Sequence, residues 1–290
     1  MKIAFIGLGA MGRPMAEWLI SQDFTLSVSD VNPALAEVFG SAWASSPAEA
    51  AKGADIVVTM LPNGHIVRDV LLGGGGVVDA LAPGAVVVDT SSSDAAGTCA
   101  LGKELAMRGI PLIDAPVSGG VALAGQGKLA LMVGGTDDDA FEKARPVLEA
   151  LSGRLLRVGK LGAGHAAKGI NNAVAACIFA VTSEGLELGA RFGLDQASLL
   201  EVINNSTGRS GVSEGLFPGQ VLSGKYSLGF ALALMAKDVG LADSLCEGLS
   251  LDLPILKRTT EQYRKALEAL GDGADFTEYH KYVEKNSGGK

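Results

Sequence analysis

The stretch KIAFIGLGAMGRPM, residues 2–15, decides the fold: a short apolar run stops at a glycine and passes directly into a helical pattern. Gly7, Leu8, Gly9, Ala10, Met11 and Gly12 spell G-x-G-x-x-G. That pattern is weak alone and informative when it joins a strand to a helix. Its first glycine allows the tight turn, its second lets a pyrophosphate approach the backbone, and its third lets helix and strand pack closely. The helix start behind it offers unpaired N–H groups and a positive dipole end. Asp30 closes the next strand, TLSVS at 25–29, where a carboxylate accepts hydrogen bonds from the adenosine ribose. Val31 follows it, not arginine, so a 2′-phosphate would meet negative charge without a cation. NAD is the expected cofactor, and NADP the less favoured one.

Outward from this unit the same rhythm continues. Strands are expected at DIVVTML (55–61), AVVVDT (85–90), PLIDAP (111–116), LALMVGG (129–135) and RLLRVG (154–159), with helices at 64–72, 94–108 and 137–152 between them. Short Val/Ile/Leu runs alternating with helices predict a parallel sheet covered on both faces. GGGG at 73–76 follows a helix and lacks a trailing Lys-Ser/Thr, so a surface turn is expected there. Beyond residue 163 the strand signals stop. Helices are readable at about 163–192, 195–206, 231–249, 255–270 and 275–285, with starts at Asp195 and Pro254 and ends at Gly193 and Gly271. The expected organisation is α/β: a Rossmann-type parallel-sheet domain over 1–162, then an all-α domain over 163–290, joined by a long helix. NSGGK, at the C-terminus, reads as a loose tail.

With 48% apolar and 19% charged residues among 290, the chain is globular, and its 40 glycines are about twice the usual share. The net charge of −8, with no basic cluster, argues against a nucleic-acid partner. Cys99, Cys177 and Cys246 have neither disulfide nor metal-site spacing. No targeting segment is recognised, and apolar runs such as Ala173–Val181 fall short of the roughly 18–20 residues that span a bilayer. A soluble, cytoplasmic protein without a membrane partner is expected.

GAGHAAKGINNAVAACIFAV (162–181) places Lys168 inside an apolar helix with Asn172 one turn later on the same face. Either the lysine snorkels to the surface, or it is an acid/base beside a reacting hydroxyl, oriented by the asparagine. Desolvation and a cationic nicotinamide would bring its pKa toward neutrality. Gly164, one turn back, would leave room above it. His165 competes for the role but sits in the first turn, where exposure is expected; His65 and His280 show no partners in the sequence. Ser118, Gly119 and Gly120 follow a strand end, where ligands bind in open α/β sheets; they form either a plain turn or a carboxylate cradle. Lys237-Asp238 is either a local ion pair or a cover for the nicotinamide edge.

GLGAMGRPMA (7–16), DAPVSGG (114–120), GHAAKGINN (164–172) and LMAKD (234–238) stand in the order and spacing of the β-hydroxyacid dehydrogenases, and the chain resembles that family over nearly its whole length. The resemblance implies Lys168 as catalytic acid/base, Asn172 as its partner, and Ser118, Gly119 and Gly120 on the substrate carboxylate. It also implies Leu61, Pro62 and Ser92 along the cofactor and Lys237 near the nicotinamide. Ser92 stands where relatives usually carry threonine and keeps the hydroxyl. Related imine reductases replace the lysine, so Lys168 argues against that branch. The implied substrate is a small β-hydroxy acid of the 3-hydroxyisobutyrate kind. Tartronate semialdehyde, sulfolactaldehyde and threonate are the alternatives, with Arg209 in STGRSGVSEG (206–215) either a surface residue or the holder of a second anion. A homodimer or homotetramer is implied; an NAD-binding sensor is the non-enzymatic alternative.

Overall fold

In the computed structural model, residues 1–288 are described; Gly289 and Lys290, the end of the expected tail, lie outside them. The chain divides into two compact units, one of residues 1–168 and one beginning at 169.

The first unit is built on one sheet of eight strands: β1 Lys2–Ile6, β2 Thr25–Ser29, β3 Ile56–Thr59, β4 Val86–Asp89, β5 Leu112–Asp114, β6 Val117–Ser118, β7 Leu129–Gly134 and β8 Ser152–Gly159. Their order is β2-β1-β3-β4-β5-β7-β6, with β8 on β7. The first five are parallel to one another, and β7 runs antiparallel to β5 and β6. Alternation sorts the side chains. Ile3, Phe5, Ile56, Val58, Val86 and Val88 join one apolar cluster. Ala4, Ile6, Val57 and Val87 join a second on the opposite face, against Val67, Leu71, Leu101 and Leu105 of the helices. Both faces are dry, which is why the central strands carry no polar alternation. Truncating Phe5, which is fully buried, to alanine would cost about 3–5 kcal/mol.

The β6 strand and the short helix Gly120–Ala124 are additions that the sequence did not announce. GGGG at 73–76 is a turn with Gly74 and Gly75 exposed, as expected.

The long helix runs Ala163–Phe192. By length and composition it could cross a membrane, contrary to the expectation from apolar run lengths alone; half of its apolar window is buried inside the protein. The second unit packs it with helices Gln196–Asn204, Leu232–Gly248, Pro254–Leu270 and Tyr279–Asn286. Ala173, Ala176 and Ala180 make space for large rings. Phe179 stacks on Phe217 at 4.7 Å and Tyr263 on Tyr279 at 4.4 Å between centroids. Asp195 caps the helix it precedes, accepting from the Ser198 amide at 2.8 Å. Gly193 and Gly271 end theirs in the left-handed region, at φ 99° and 82°. The segment expected as one helix at 275–285 is a 3₁₀ turn, Phe276–Glu278, followed by the helix at Tyr279. Ser287, placed in the loose tail, is instead tied to Glu187 at 2.8 Å.

Candidate active site

Ser29, Ile6, Thr59, Asp89 and Asp114 lie on one register line across the five parallel strands. The glycine-rich loop, Asp30, the Leu61–Pro62 turn and the Ser92 turn leave the sheet at or just beyond this line, at the C-terminal strand ends, whereas GGGG at 73–76 follows a helix on the return to β4.

Gly7 sits at φ 96°, and a Cβ there would strike the Met60 carbonyl; one on Gly12 would strike the Gly7 carbonyl. A Cβ on Gly9 would meet nothing within 4 Å. The first and third glycines are therefore demanded by packing, while the second faces open space of the kind a pyrophosphate needs. That cleft, about 670 Å³, is lined by Leu8, Gly9, Ala10, Arg13, Asp30 and Asn32. Asp30 accepts from the Leu8 amide at 2.6 Å and the Asn32 amide at 2.8 Å, so its carboxylate is fixed at the cleft wall with lone pairs to spare. Val31 is fully exposed. Arg13 is a cation in this cleft that the sequence reading missed, and it is paired with Glu17 at 2.8 Å. The loop thus fits a dinucleotide.

Two further loops leave the register line. Leu61 and Pro62 follow β3, and the Leu61 amide donates to Ser91 Oγ at 2.9 Å. Ser92 is half-buried in the turn after β4. That turn is organised by Asp89, which is 2% exposed. It accepts from Thr59 Oγ1 at 2.9 Å, the Ser91 amide at 3.0 Å and Ser93 Oγ at 3.1 Å. Ser118 pairs across to Ala130 on β7, and Gly119 and Gly120 follow at φ 136° and 71°.

The helix bearing Lys168 starts on a carboxylate from far away in sequence. Asp114, fully buried, accepts from the Gly162 amide and the His165 amide, both at 2.8 Å. It neutralises N–H groups that a helix start leaves open and favours the positive dipole end. Gly164 serves this contact and not space above the lysine: a Cβ there would strike the Met132 carbonyl and lie 2.8 Å from Asp114 Oδ2. Lys168 itself is half-buried. His165 corrects a second expectation, because it is 3% exposed rather than open to solvent. Its Nδ1 lies 2.8 Å from Thr98 Oγ1.

In the second unit, Asn172 is 7% exposed and donates to Asp238 Oδ2 at 2.6 Å. Asp238, which the sequence reading treated only as the neighbour of Lys237, therefore fixes the asparagine amide; its other oxygen lies 3.4 Å from Lys237 Nζ. Arg209 is exposed and pairs with Glu214 at 2.8 Å.

Residues 2–159 match the family model described as the NAD binding domain of 6-phosphogluconate dehydrogenase. Residues 162–283 match the one described as NAD-binding of NADP-dependent 3-hydroxyisobutyrate dehydrogenase. The chain belongs to the β-hydroxyacid dehydrogenase family. It is an NAD-dependent hydroxyacid oxidoreductase. Among its relatives, 2-(hydroxymethyl)glutarate dehydrogenase of Eubacterium barkeri is 38% identical, covering 95% of this chain and 92% of that one. The NAD-dependent L-serine dehydrogenase of Pseudomonas aeruginosa is 35% identical, covering 99% of both. The structure of 3-hydroxyisobutyrate dehydrogenase from Mycobacterium tuberculosis with L-serine superposes with a TM-score of 0.90 at 33% identity, covering 97% of this chain and 98% of that one.

Proposed function

We propose that this dehydrogenase oxidises 3-hydroxy acids of the form carboxylate–Cα–CH₂OH to their semialdehydes, with Lys168 as the acid/base. The observation that carries the reading is the single register line. It sends the dinucleotide loop, the Leu61 and Ser92 turns and the Asp114 cap of the lysine helix off the same sheet edge. Three relatives' names point to the same substrate core. 3-Hydroxyisobutyrate, L-serine and 2-(hydroxymethyl)glutarate all carry a hydroxymethyl group on the carbon that bears a carboxylate.

When bound, NAD⁺ supplies the hydride acceptor. Ser118 and the amides of Gly119 and Gly120 hold the substrate carboxylate. Lys168 Nζ, unprotonated, takes the hydroxyl proton; in reduction the ammonium returns it. Asn172, held by Asp238, orients the hydroxyl. Lys237 covers the nicotinamide edge. The domain limits that go with this division of labour are 1–162 for the cofactor and 163–290 for substrate and assembly. Arg209 is paired with Glu214 at the surface, and a substrate's second anion would have to compete with that carboxylate for it.

Lys168→Ala should lower turnover roughly 10²–10⁴-fold and leave NADH binding, read by fluorescence titration, within about twofold. Near-normal turnover in that variant would remove the assignment. A panel of 3-hydroxyisobutyrate, L-serine, 2-(hydroxymethyl)glutarate, tartronate semialdehyde, sulfolactaldehyde and threonate ranks the substrates. Binding of NADH with no turnover of any of them would favour a sensor.

We further propose that the enzyme works in the cytoplasm as a homodimer or a larger assembly built through the long helix. Val174, Val181 and Leu188 repeat every seven residues on that helix at 48%, 64% and 72% exposure, flanked by Ile170 and Phe192. Such a seam suits a second helix of the same kind. Light scattering should give a dimer or tetramer mass, and Val181→Glu with Leu188→Glu should give a monomer. Flotation of the wild type with lipid vesicles would instead assign the stripe to a membrane.

A further inference from the structure

We propose that His165 is a positioning residue that registers the cofactor turn at 89–93 against the helix carrying Lys168. The proposal rests on the dehydrogenase reading above. His165 and Lys168 are three residues apart on one helix, hence neighbours on its surface. The imidazole is fully buried among three groups. Thr98 Oγ1 meets Nδ1 at 2.8 Å. Asp114 Oδ2 lies 3.9 Å from Nδ1, and Asp89 Oδ2 lies 3.7 Å from Nε2. Among the described residues Nε2 makes no hydrogen bond.

This arrangement constrains the ring. The Thr98 hydroxyl has one proton and two acceptors within reach, the Asp94 carbonyl at 2.9 Å and Nδ1. The Asp94 carbonyl already accepts from the Thr98 amide at 2.9 Å, so the hydroxyl proton can go to Nδ1, which leaves the ring's own proton on Nε2; in the opposite arrangement a bare lone pair on Nε2 would face the Asp89 carboxylate across buried space. A proton on Nε2 turns that repulsion into attraction. At 3.7 Å the contact is too long for a hydrogen bond, yet Coulomb attraction is strong where water is excluded.

Asp89 is also the residue that shapes the turn. It holds Ser91 and Ser93 on either side of Ser92, and Ser91 in turn holds the Leu61 amide. One imidazole therefore joins the first turn of the lysine helix to the two loops that present Leu61 and Ser92. Thr98 ties its other nitrogen to the helix Ala95–Ala106, and the Asp114 cap fixes its backbone. Displacing the ring would shift the nicotinamide-side loops relative to Lys168. The Ser118–Gly120 turn is anchored instead by the pairing of Val117 and Ser118 with Leu131 and Ala130 on β7, which the ring does not touch.

The test uses the full chain as His165→Leu, close in volume, and His165→Gln, which restores an N–H donor. Leu should weaken NADH binding and lower turnover by roughly tenfold each. The KM for the best hydroxy acid of the panel should stay within about twofold, and Gln should recover most of both losses. In ¹⁵N-histidine-labelled wild type, one slowly exchanging Nε2–H signal should appear and vanish in the Leu variant. A folded Leu variant with wild-type NADH affinity and turnover would overturn the proposal. So would equal losses in Leu and Gln with KM rising in step, the mark of general damage. Absence of NADH binding by the wild type would bring down the dehydrogenase reading together with this role, a result distinct from either.

Discussion

Asp238 shows how a single residue changes role once its partner is visible. In the sequence it is the second half of Lys237-Asp238. In the structure it is 3% exposed and accepts from the Asn172 amide at 2.6 Å. A buried amide that loses its acceptor costs about 1–3 kcal/mol, and relief comes by rotating away. With Asn172 in the role proposed for it, Asp238→Ala should lower kcat at least tenfold, because the amide would lose the acceptor that fixes it. Asp238→Asn, which keeps an acceptor oxygen, should fall between Ala and wild type. Unchanged kcat in the Ala variant would show that Asn172 needs no second residue. Lys168 and Asn172 could be paired from their spacing alone, since i and i+4 on a helix share a face. Their third member, 66 residues further along, had no local signature.

At the level of elements, the start of the long helix is the most exacting joint in the first unit. Alanine in place of glycine inside a helix ordinarily gains about 1 kcal/mol. At Gly164 the sign reverses, because the new methyl would collide with the Met132 carbonyl and crowd Asp114. Gly164→Ala should lower the urea midpoint. Asp114→Ala, which orphans two buried amides and removes the cap, should cost about 2–4 kcal/mol, with Asp114→Asn recovering part. A midpoint within error of wild type for Asp114→Ala would mean that water replaces the carboxylate. The same joint separates what was legible from what was not. Strands β1 to β5 and the helices Gly12–Ser21, Gly64–Leu72 and Ala95–Ala106 follow from period and punctuation, whereas the short helices Ala36–Phe39 and Pro47–Ala51 between β2 and β3 do not; Asp195, Gly193 and Gly271 mark ends where local rules put them. The Asp114 cap spans 48 and 51 residues. No local window contains both partners, so neither the crowding at Gly164 nor the burial of His165 has a signature in the nearby sequence. The two-residue strand Val117–Ser118 and the helical turns at 211–215 and 217–222 are too short for a periodic signal.

For the molecule as a whole, the second unit carries a buried base that should set its acid stability. His280 is 1% exposed, against the edge of the Phe217 ring. Glu284, from its own helix, reaches Nε2 at 3.5 Å, and Nδ1 has no hydrogen bond among the described residues. Burial lowers the pKa of the ring, and Glu284 and Glu187 offset this only in part. The unfolded ring, with a pKa near 6.5, therefore binds a proton more readily than the folded one. The stabilising contribution is complete above about pH 6.5. It is lost as pH falls below that value, until the folded ring also takes up its proton. Glu187 acts in a separate window. Ser287 and Arg191 hold its pKa down, so its contribution persists above the ordinary carboxylate range and disappears only as pH falls through it. The urea midpoint should thus drop between pH 7.5 and 5.5 and drop again near pH 4. His280→Leu should flatten the first step and leave the second. An unchanged first step in that variant would assign the loss of stability to other groups.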